Sequence, residues 1–324
     1  MKGFDPKFKD FPDYIIGITK EIWEDRGIAT LHAYYAPDIV VRSPGSVVVG
    51  NQGVIAATMA TLAEFPDRTL LGEDVIWSGT PAEGMLSSHR LLSTATHLGD
   101  GMYGKATGKK LTYRIMADCH AINNQINDEW LIRDQGAIVR QMGWDARDYA
   151  RDLIAREGGP DGCVQPFTPA NDQPGPYQGT GNDNEWGSRY ADLLTRIMGA
   201  DMSVIAAKYD RAVQSEYPGG ETGHGREPVD RFWMGLRAAV PNAKFTIHHQ
   251  IGRDDPMMPP RAAIRWSLQG KHDGWGVFGT PTGADLFVLG ISHAEFGPWG
   301  LRREYTLFDE TSVWKQILLQ TGEL

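Results

Sequence analysis

The chain has 324 residues, of which 41% are hydrophobic and 23% are charged, and these proportions are typical of globular domains. This length favours two domains. The formal net charge of -9 argues against nucleic acid or an anionic membrane as the main partner, because both attract concentrated positive charge, and leaves a small molecule as the expected ligand.

Helical spacing of apolar residues predicts three helices in the first half, the last of which ends at Pro66. A short strand is predicted between the second and third helices, and alternating patterns predict four strands after them. The predicted helices are 11–26, 28–35 and 51–65, and the predicted strands are 39–42, 69–77, 84–96, 110–123 and 129–142.

The second half repeats this order after a segment rich in Gly, Pro, Asn and Asp, which predicts a linker at 156–187. We therefore expect an N-terminal domain at 1–155 and a C-terminal domain at 188–324. Helices packed on one face of a curved antiparallel sheet would make each domain an α+β cone with a pocket between its layers. The predicted helices are 186–198, 202–209 and 228–240, and the predicted strands are 244–252, 262–271, 285–296 and 301–317.

The two halves also repeat each other in sequence, at a constant offset of 175 residues, the separation of Asp134 and Asp309. Without a gap, HLGDGMYGKATGKKL at 97–111 overlays HDGWGVFGTPTGADL at 272–286, with the histidine, three glycines, the Thr-Gly pair and the final leucine in register. The period is too long for a solenoid repeat, so the sequence predicts a duplicated domain.

Two features predict a cytoplasmic protein without disulfides. The chain contains only two cysteines, Cys119 and Cys163, and it begins MKGFDPKFKDFPDY, with no apolar stretch that could act as a signal peptide. No apolar run approaches the roughly 20 residues needed to cross a bilayer. We therefore expect no membrane partner.

The stretch GMYGKATGKKLTYRIMADCHAINNQINDEWLIRDQGAIVRQMGWD resembles the C-terminal part of a SnoaL-like domain of the NTF2-like superfamily, in which a Gly-rich segment ending in P-T-G precedes a strand with an acidic residue. The second half is similar and keeps P-T-G at 281–283, whereas the first half has Ala106 in place of the proline. The resemblance covers most of both halves but not the linker.

This resemblance implies two tandem NTF2-like cones whose pockets often host proton transfer, as in polyketide cyclase-type ring closure, isomerisation, dehydration or epoxide hydrolysis. Non-catalytic members also exist, so the fold leaves the reaction open. Single NTF2-like domains commonly pair through their sheets. The resemblance therefore also implies an intrachain pseudo-dimer, with a homodimer of chains as a further assembly.

The strand after each Thr-Gly pair carries an acid and an imidazole on one face, Asp118 with His120 in the first half and His293 with Glu295 in the second. Asp134 and Asp309 follow sixteen positions later and would lie beside them in an antiparallel hairpin, and the resemblance implies a catalytic acid at this aspartate. A desolvated carboxylate beside an imidazole can move a proton near pH 7. We predict these six residues to be catalytic, and a solvated strand face or a satisfied polar network is the alternative.

A further set of aromatic and arginine side chains is predicted to bind the substrate. Core packing is the alternative for the aromatic members, and a bridge from the sheet to an acidic residue is the favoured alternative for Arg90 and its counterpart Arg265. The predicted set is Tyr35, Arg90, Tyr113, Trp130, Tyr209, Trp266 and Tyr305.

These residues favour a cofactor-independent acid–base enzyme, a lyase, isomerase, cyclase or dehydratase, acting on a small carbonyl- or hydroxyl-bearing molecule. One alternative is a metal-dependent lyase or hydrolase in which His248, His249, His293 and Glu295 hold the ion, although no H-E-x-x-H spacing is present. Another is a non-catalytic protein that binds a small ligand. The larger number of histidines predicts that the second half keeps catalysis.

Overall fold

The computed structural model describes residues 1–323 and divides them into two compact units. The first unit consists of Met1–Asp145 and Phe167–Gly179, and the second of Ala146–Pro166 and the described residues from Thr180 onward. The predicted linker is therefore shared, because its middle part packs with the first unit and its two ends with the second.

The first unit has one six-stranded sheet in the order β2-β1-β6-β5-β4-β3. The strands β1 and β6 run parallel, and the other neighbouring strands run antiparallel. The sheet is therefore mixed, whereas the sequence predicts a purely antiparallel sheet. Its strands are β1 (Tyr35–Ser43), β2 (Ser46–Val49), β3 (Thr69–Thr80), β4 (Gly84–Thr96), β5 (Lys110–Ile122) and β6 (Gln125–Arg133).

Four α-helices accompany this sheet. The first, α1, is capped by the Asp10 side chain, which accepts from the Asp13 backbone N–H, and it continues as a π-helix over Lys20–Glu24. A 3-10 turn at Ile28–Thr30 precedes α2. The helices are α1 (Phe11–Thr19), α2 (Leu31–Tyr34), α3 (Asn51–Glu64) and α4 (Gln135–Met142).

The second unit repeats this topology, with the sheet order β8-β7-β12-β11-β10-β9 and a parallel pair formed by β7 and β12. The predicted duplication is thus confirmed. The strands are β7 (Tyr209–Tyr217), β8 (Glu221–His224), β9 (Lys244–Arg253), β10 (Arg261–Lys271), β11 (Asp285–Gly297) and β12 (Gly300–Leu307). The helices are α5 (Ala146–Arg156), α6 (Glu185–Met198), α7 (Ser203–Lys208), α8 (Arg226–Ala239) and α9 (Glu310–Thr321).

The predicted strands 129–142 and 301–317 were wrong in their second parts. The strands stop after Arg133 and Leu307, and a helix begins two or three residues later, at Gln135 and Glu310. The aspartates between them are helix N-caps, so the hydrophobic alternation of the strand passes directly into a helical pattern. The sequence interpretation also missed the strands β2, β7 and β8 and the helix α5.

Residues 167–179 are attached to the first unit through a partly buried ion-pair network. The Arg42 guanidinium contacts Asp128 Oδ1 at 2.5 Å and Asp172 Oδ1 at 2.6 Å. The backbone N–H of Tyr177 donates to the other oxygen of Asp128 at 3.1 Å. This stretch of the predicted linker is therefore part of the first unit's structure.

Among residues 1–323, no helix is long and apolar enough to span a membrane.

Candidate active site

A cavity of about 520 Å³, measured out to its opening, lies in the first unit between the inner face of the sheet and the helical segment 15–23. The lining is mostly apolar, and its polar members are few. The lining residues are Ile15, Ile18, Thr19, Trp23, Tyr35, Arg68, Leu70, His89, Leu91, Ile115, Ala117, Cys119, Ile126, Glu129, Leu131 and Arg133.

Strand register places the polar lining residues in order across the sheet. Cys119 on β5 pairs with Glu129 on β6, whereas Ile115, four residues earlier on β5, pairs with Arg133. Glu129 and Arg133 share the inner face and are separated by roughly 13 Å along the strand. His89 on β4 pairs with Ala117, so it lies between the levels of Glu129 and Arg133 along the strands. The cavity therefore has an acidic end and a basic end.

Glu129 occupies the acidic end and is only 6% exposed. Its carboxyl group is hydrogen-bonded to the Tyr35 hydroxyl, while its Oε2 atom has no hydrogen-bond partner among the described residues. Burial raises the pKa of Glu129 to about 7, and the Tyr35 hydrogen bond and the charge of Arg133 partly oppose this rise. This carboxyl group can thus take up or release a proton near neutral pH.

His89 is 5% exposed, and its Nδ1 lies 3.1 Å from the Ser87 hydroxyl oxygen. Burial lowers the pKa of His89 to about 4, so the imidazole is neutral at pH 7. Among the described residues, Nε2 of this ring has no hydrogen-bond partner. A neutral imidazole in a cavity can hydrogen-bond a polar group of a ligand without adding charge.

Two arginines form the basic end. Arg68 immediately precedes β3 and is 5% exposed, and Arg133 ends β6 and is half-buried. Within residues 1–323 neither side chain forms an ion pair, and Arg68 Nε is buried without a hydrogen-bond partner. Burial and the charge of Arg68 lower the pKa of Arg133. The two guanidinium groups are thus close enough to repel each other.

The predicted pair Asp118 and His120 lies on the opposite face of β5, because Ala117 and Cys119 between and beside them line the cavity. The Nδ1 atom of His120 is 2.6 Å from Asn127 Oδ1, and its ring stacks on Tyr177 at 4.5 Å. These contacts hold His120 within the outer face of the first unit. The structure therefore does not bring this pair into the cavity.

His293 and Glu295 occupy the equivalent outer face of β11, since Ala294 between them belongs to the core of the second unit. Glu295 forms ion pairs with Arg302 at 2.6 Å and with Arg303 at 3.6 Å. Its carboxylate is therefore neutralised at the surface.

The predicted metal-binding residues do not form a site in the described chain. His248 Nε2 lies 2.8 Å from the Ser267 hydroxyl, and the neighbouring His249 is buried. Among residues 1–323, no group of three or more His, Cys, Asp or Glu side chains has a spacing suited to a metal ion.

Asp134 and Asp309 are buried helix caps. Asp134 accepts a hydrogen bond from the Ala137 backbone N–H at 2.9 Å. Asp309 accepts from the backbone N–H groups of Thr311 and Ser312 and from both hydroxyl groups at 2.7 Å. Neither aspartate lines the cavity. This placement favours a structural role for both residues.

The substitution Asp309→Ala is expected to lower the free energy of unfolding by about 1–2 kcal/mol, because the first turn of α9 loses its cap. Urea unfolding followed by circular dichroism measures this change. Since Asp309 belongs to the second unit, ligand binding in the first-unit cavity should not change. A loss of binding in a folded Asp309→Ala protein would contradict this structural role.

Of the predicted substrate-binding residues, Tyr35 lines the cavity. Tyr113 is buried on the inner face of β5, two residues from Ile115. Arg90 is on the outer face of β4, where it forms an ion pair with Glu73 at 2.8 Å, and this placement favours the bridging alternative. Trp130 is also on an outer face and packs under the Arg42 guanidinium at 4.6 Å.

In the second unit, Glu304 occupies the position equivalent to Glu129, at the constant offset. Glu304 is fully buried, and both of its oxygens are occupied. Oε1 accepts from the hydroxyls of Tyr190 at 2.9 Å and Tyr209 at 2.7 Å. Oε2 accepts from the Tyr217 hydroxyl at 2.6 Å and from Trp233 Nε1 at 3.1 Å.

Trp266 replaces the cavity residue Leu91 in the second unit and is fully buried, with its indole N–H donating to Ser292 at 2.9 Å. Opposite it, Gly290 stands where the first unit has Ile115, and a Cβ there would lie 2.1 Å from the indole. Large side chains thus fill the region that is open in the first unit. Tyr305 faces outward beside His293. The geometry favours the first unit for ligand binding, in contrast to the preference based on histidine number.

The sequence interpretation missed Glu129, His89, Arg68 and Arg133. Glu129 gave a usable signal, because the constant offset aligns it with Glu304, while Tyr35 aligns with Tyr209 after a one-residue slip. The arginines gave no such signal, since neither has a counterpart in the other half.

Three solved structures illustrate the similarity of single domains to this chain. IdmH, a proposed polyketide cyclase from Streptomyces antibioticus, is 22% identical over 41% of this chain and 98% of its own, with a TM-score of 0.36. A proposed polyketide cyclase from Acidithiobacillus ferrooxidans is 21% identical over 40% of this chain and 92% of its own, with a TM-score of 0.36. AclR, a proposed hydroxylase from Streptomyces galilaeus, is 15% identical over 43% of this chain and 83% of its own, with a TM-score of 0.33.

No curated protein sequence matches the chain. Two family models do match it, and they cover most of both units. The model for SnoaL-like polyketide cyclases matches residues 14–142, and the model for SnoaL-like domains matches residues 189–301. The chain therefore belongs to the SnoaL-like family and carries two of its domains in tandem.

Proposed function

We propose that the first unit is a cyclase- or isomerase-type enzyme that moves a proton on a small carbonyl-bearing molecule, with Glu129 as the general base. The observation that carries this proposal is the Glu129 carboxyl group, which lines an apolar cavity with one oxygen unpaired and a pKa near 7. General bases work best when their pKa is close to the working pH. The family match supports the same class of reaction.

In the proposed reaction, ionised Glu129 accepts a proton from a carbon next to the substrate carbonyl through its unpaired Oε2. The electron pair of the broken C–H bond passes into the enolate. Tyr35 donates a hydrogen bond to the carboxyl group and holds it in place. The proton then returns from Glu129 to another substrate atom, so that no net proton is consumed.

The proposed role of His89 is to donate a hydrogen bond to the substrate oxygen on which the enolate charge develops. This role requires its proton on Nε2, with the Ser87 hydroxyl donating to Nδ1 of His89 at 3.1 Å and not to the Cys119 carbonyl at 3.4 Å. A neutral imidazole is suited to this task because it stabilises the enolate without protonating it fully.

The proposal is tested with 5-nitrobenzisoxazole, a carbon acid whose C–H proton is removed by a base while its N–O bond breaks to give a coloured nitrile phenolate. We expect the protein to accelerate this reaction, with kcat/KM rising with pH and levelling above about pH 7, because only ionised Glu129 accepts the proton. His89 is neutral above about pH 4, so it should add no second titration step to the pH profile of kcat/KM in this range. No acceleration, or a rate that falls as the pH rises through 7, would contradict the proposal.

A further inference from the structure

We propose that Arg68 and Arg133 form an anion subsite that binds a carboxylate of the substrate, at the end of the cavity opposite Glu129. This inference rests on the proposed function only for its choice of an organic substrate. It identifies that substrate as a carboxylic acid whose reacting carbon is separated from the carboxylate by a ring-sized spacer.

The first argument is the lack of an anionic partner. Burying a cation is unfavourable unless an anion or acceptor compensates it. Elsewhere in the first unit, buried arginines are paired, Arg42 with Asp128 and Arg90 with Glu73. Arg68 is equally buried, yet its Nε has no acceptor and its side chain no ion pair among the described residues. The missing anion therefore comes from outside the chain.

The second argument is that the fold does not need these arginines. At the constant offset, Arg68 corresponds to Ala243 and Arg133 to Phe308 in the second unit, which builds the same sheet without them. In that unit the equivalent region is filled by Trp266. The unit with the open cavity thus has both arginines, and the unit in which the equivalent region is filled has neither.

The third argument concerns the kind of anion. A guanidinium group presents a planar fork that matches the two oxygens of a carboxylate. Apart from the two arginines, the same end of the cavity is lined by Leu70, Leu91 and Ile115, which suit the carbon skeleton of an organic acid better than a fully hydrated phosphate. The roughly 13 Å between Glu129 and Arg133 along β6, shortened by both side chains, fits an acid with one ring or an equivalent chain.

The test is isothermal titration calorimetry near pH 8 with three probes, namely benzoate, its neutral analogue benzamide, and inorganic phosphate. We expect benzoate to bind at least about tenfold more tightly than benzamide, since only the carboxylate forms charge-assisted hydrogen bonds. Arg68→Met and Arg133→Met should each weaken benzoate binding by about tenfold or more. Arg231→Met, which alters an exposed arginine of the second unit, should leave it unchanged.

Equal affinity for benzoate and benzamide would overturn the anion subsite, and so would benzoate affinity that survives both arginine substitutions in folded protein. Tighter binding of phosphate than of benzoate would overturn the assignment to a carboxylate. The comparison of the three probes on the unsubstituted protein remains decisive if a variant fails to fold. Failure of the proposed function is separate, because it is read from base catalysis and not from binding.

Discussion

Replacing Glu129 with glutamine is expected to lower kcat/KM for 5-nitrobenzisoxazole by about 10²–10⁴-fold, the usual contribution of a general acid or base. Glutamine keeps the size of the side chain and can still accept a hydrogen bond from Tyr35, but it cannot take up the substrate proton. The phenolate product is followed by its absorbance at saturating and subsaturating substrate. We expect the loss to appear in kcat, because the substitution removes the proton acceptor of the chemical step and leaves the contacts that bind the substrate.

The matched control is Asp118→Asn, which removes a buried acid from the opposite face of the neighbouring strand β5. This variant should keep the activity of the unsubstituted protein, since Asp118 does not line the cavity. If Asp118→Asn abolished activity and Glu129→Gln did not, the assignment of the base would be wrong and the outer face would become the candidate site.

The second large effect is expected at the equivalent position of the repeat. Glu304→Gln should lower the free energy of unfolding by about 3–5 kcal/mol, because the amide nitrogen cannot accept the hydrogen bonds that now reach one of the carboxylate oxygens. Two buried donors would then lack an acceptor. Urea unfolding followed by tryptophan fluorescence measures the loss, since Trp233 and Trp266 report on this core.

The same substitution in the first unit should act in the opposite direction. The pKa of Glu129 is raised from 4.5 to about 7 in the folded protein, so the folded state holds an extra proton between these values and loses stability as the pH rises through them. Near pH 8, Glu129→Gln should therefore stabilise the protein by on the order of 2 kcal/mol. A stabilising Glu304→Gln or a strongly destabilising Glu129→Gln would contradict the different roles assigned to the two carboxyl groups.

Periodicity in the sequence was sufficient for the long strands of each sheet, but not for the short strands or for the point where the last strand ends. The predicted strand 84–96 coincides with β4, because a long alternation bounded by Gly84 and the turn after Thr96 leaves little choice of register. The strand–helix junction at Asp134 could not be located in this way, since apolar residues continue on both sides of it. Only the capping hydrogen bond to Ala137 marks where the helix begins.

The site was missed for a related reason. Alternation correctly placed Asp118 and His120 on the same face of their strand, and likewise His293 and Glu295. It does not determine which face of the sheet turns inward. That choice depends on the helices packed against the sheet, and a shift of one residue reverses it. Acid and histidine residues were therefore sought on the face that carries Asp118, whereas the cavity is lined by its neighbours Ala117 and Cys119.

The exchange of chain segments between the two units also affects how the protein is made. During synthesis the first unit cannot be completed when its last helix, α4, has left the ribosome, because Asp172 and Tyr177 are still to come. Until then the Arg42–Asp128 ion pair lacks its contacts with Asp172 and Tyr177. Separating the halves by a single cut near residue 155 would remove residues 167–179 from the first unit and α5 from the second. The two halves of the gene encode a repeat, but neither encodes a whole unit.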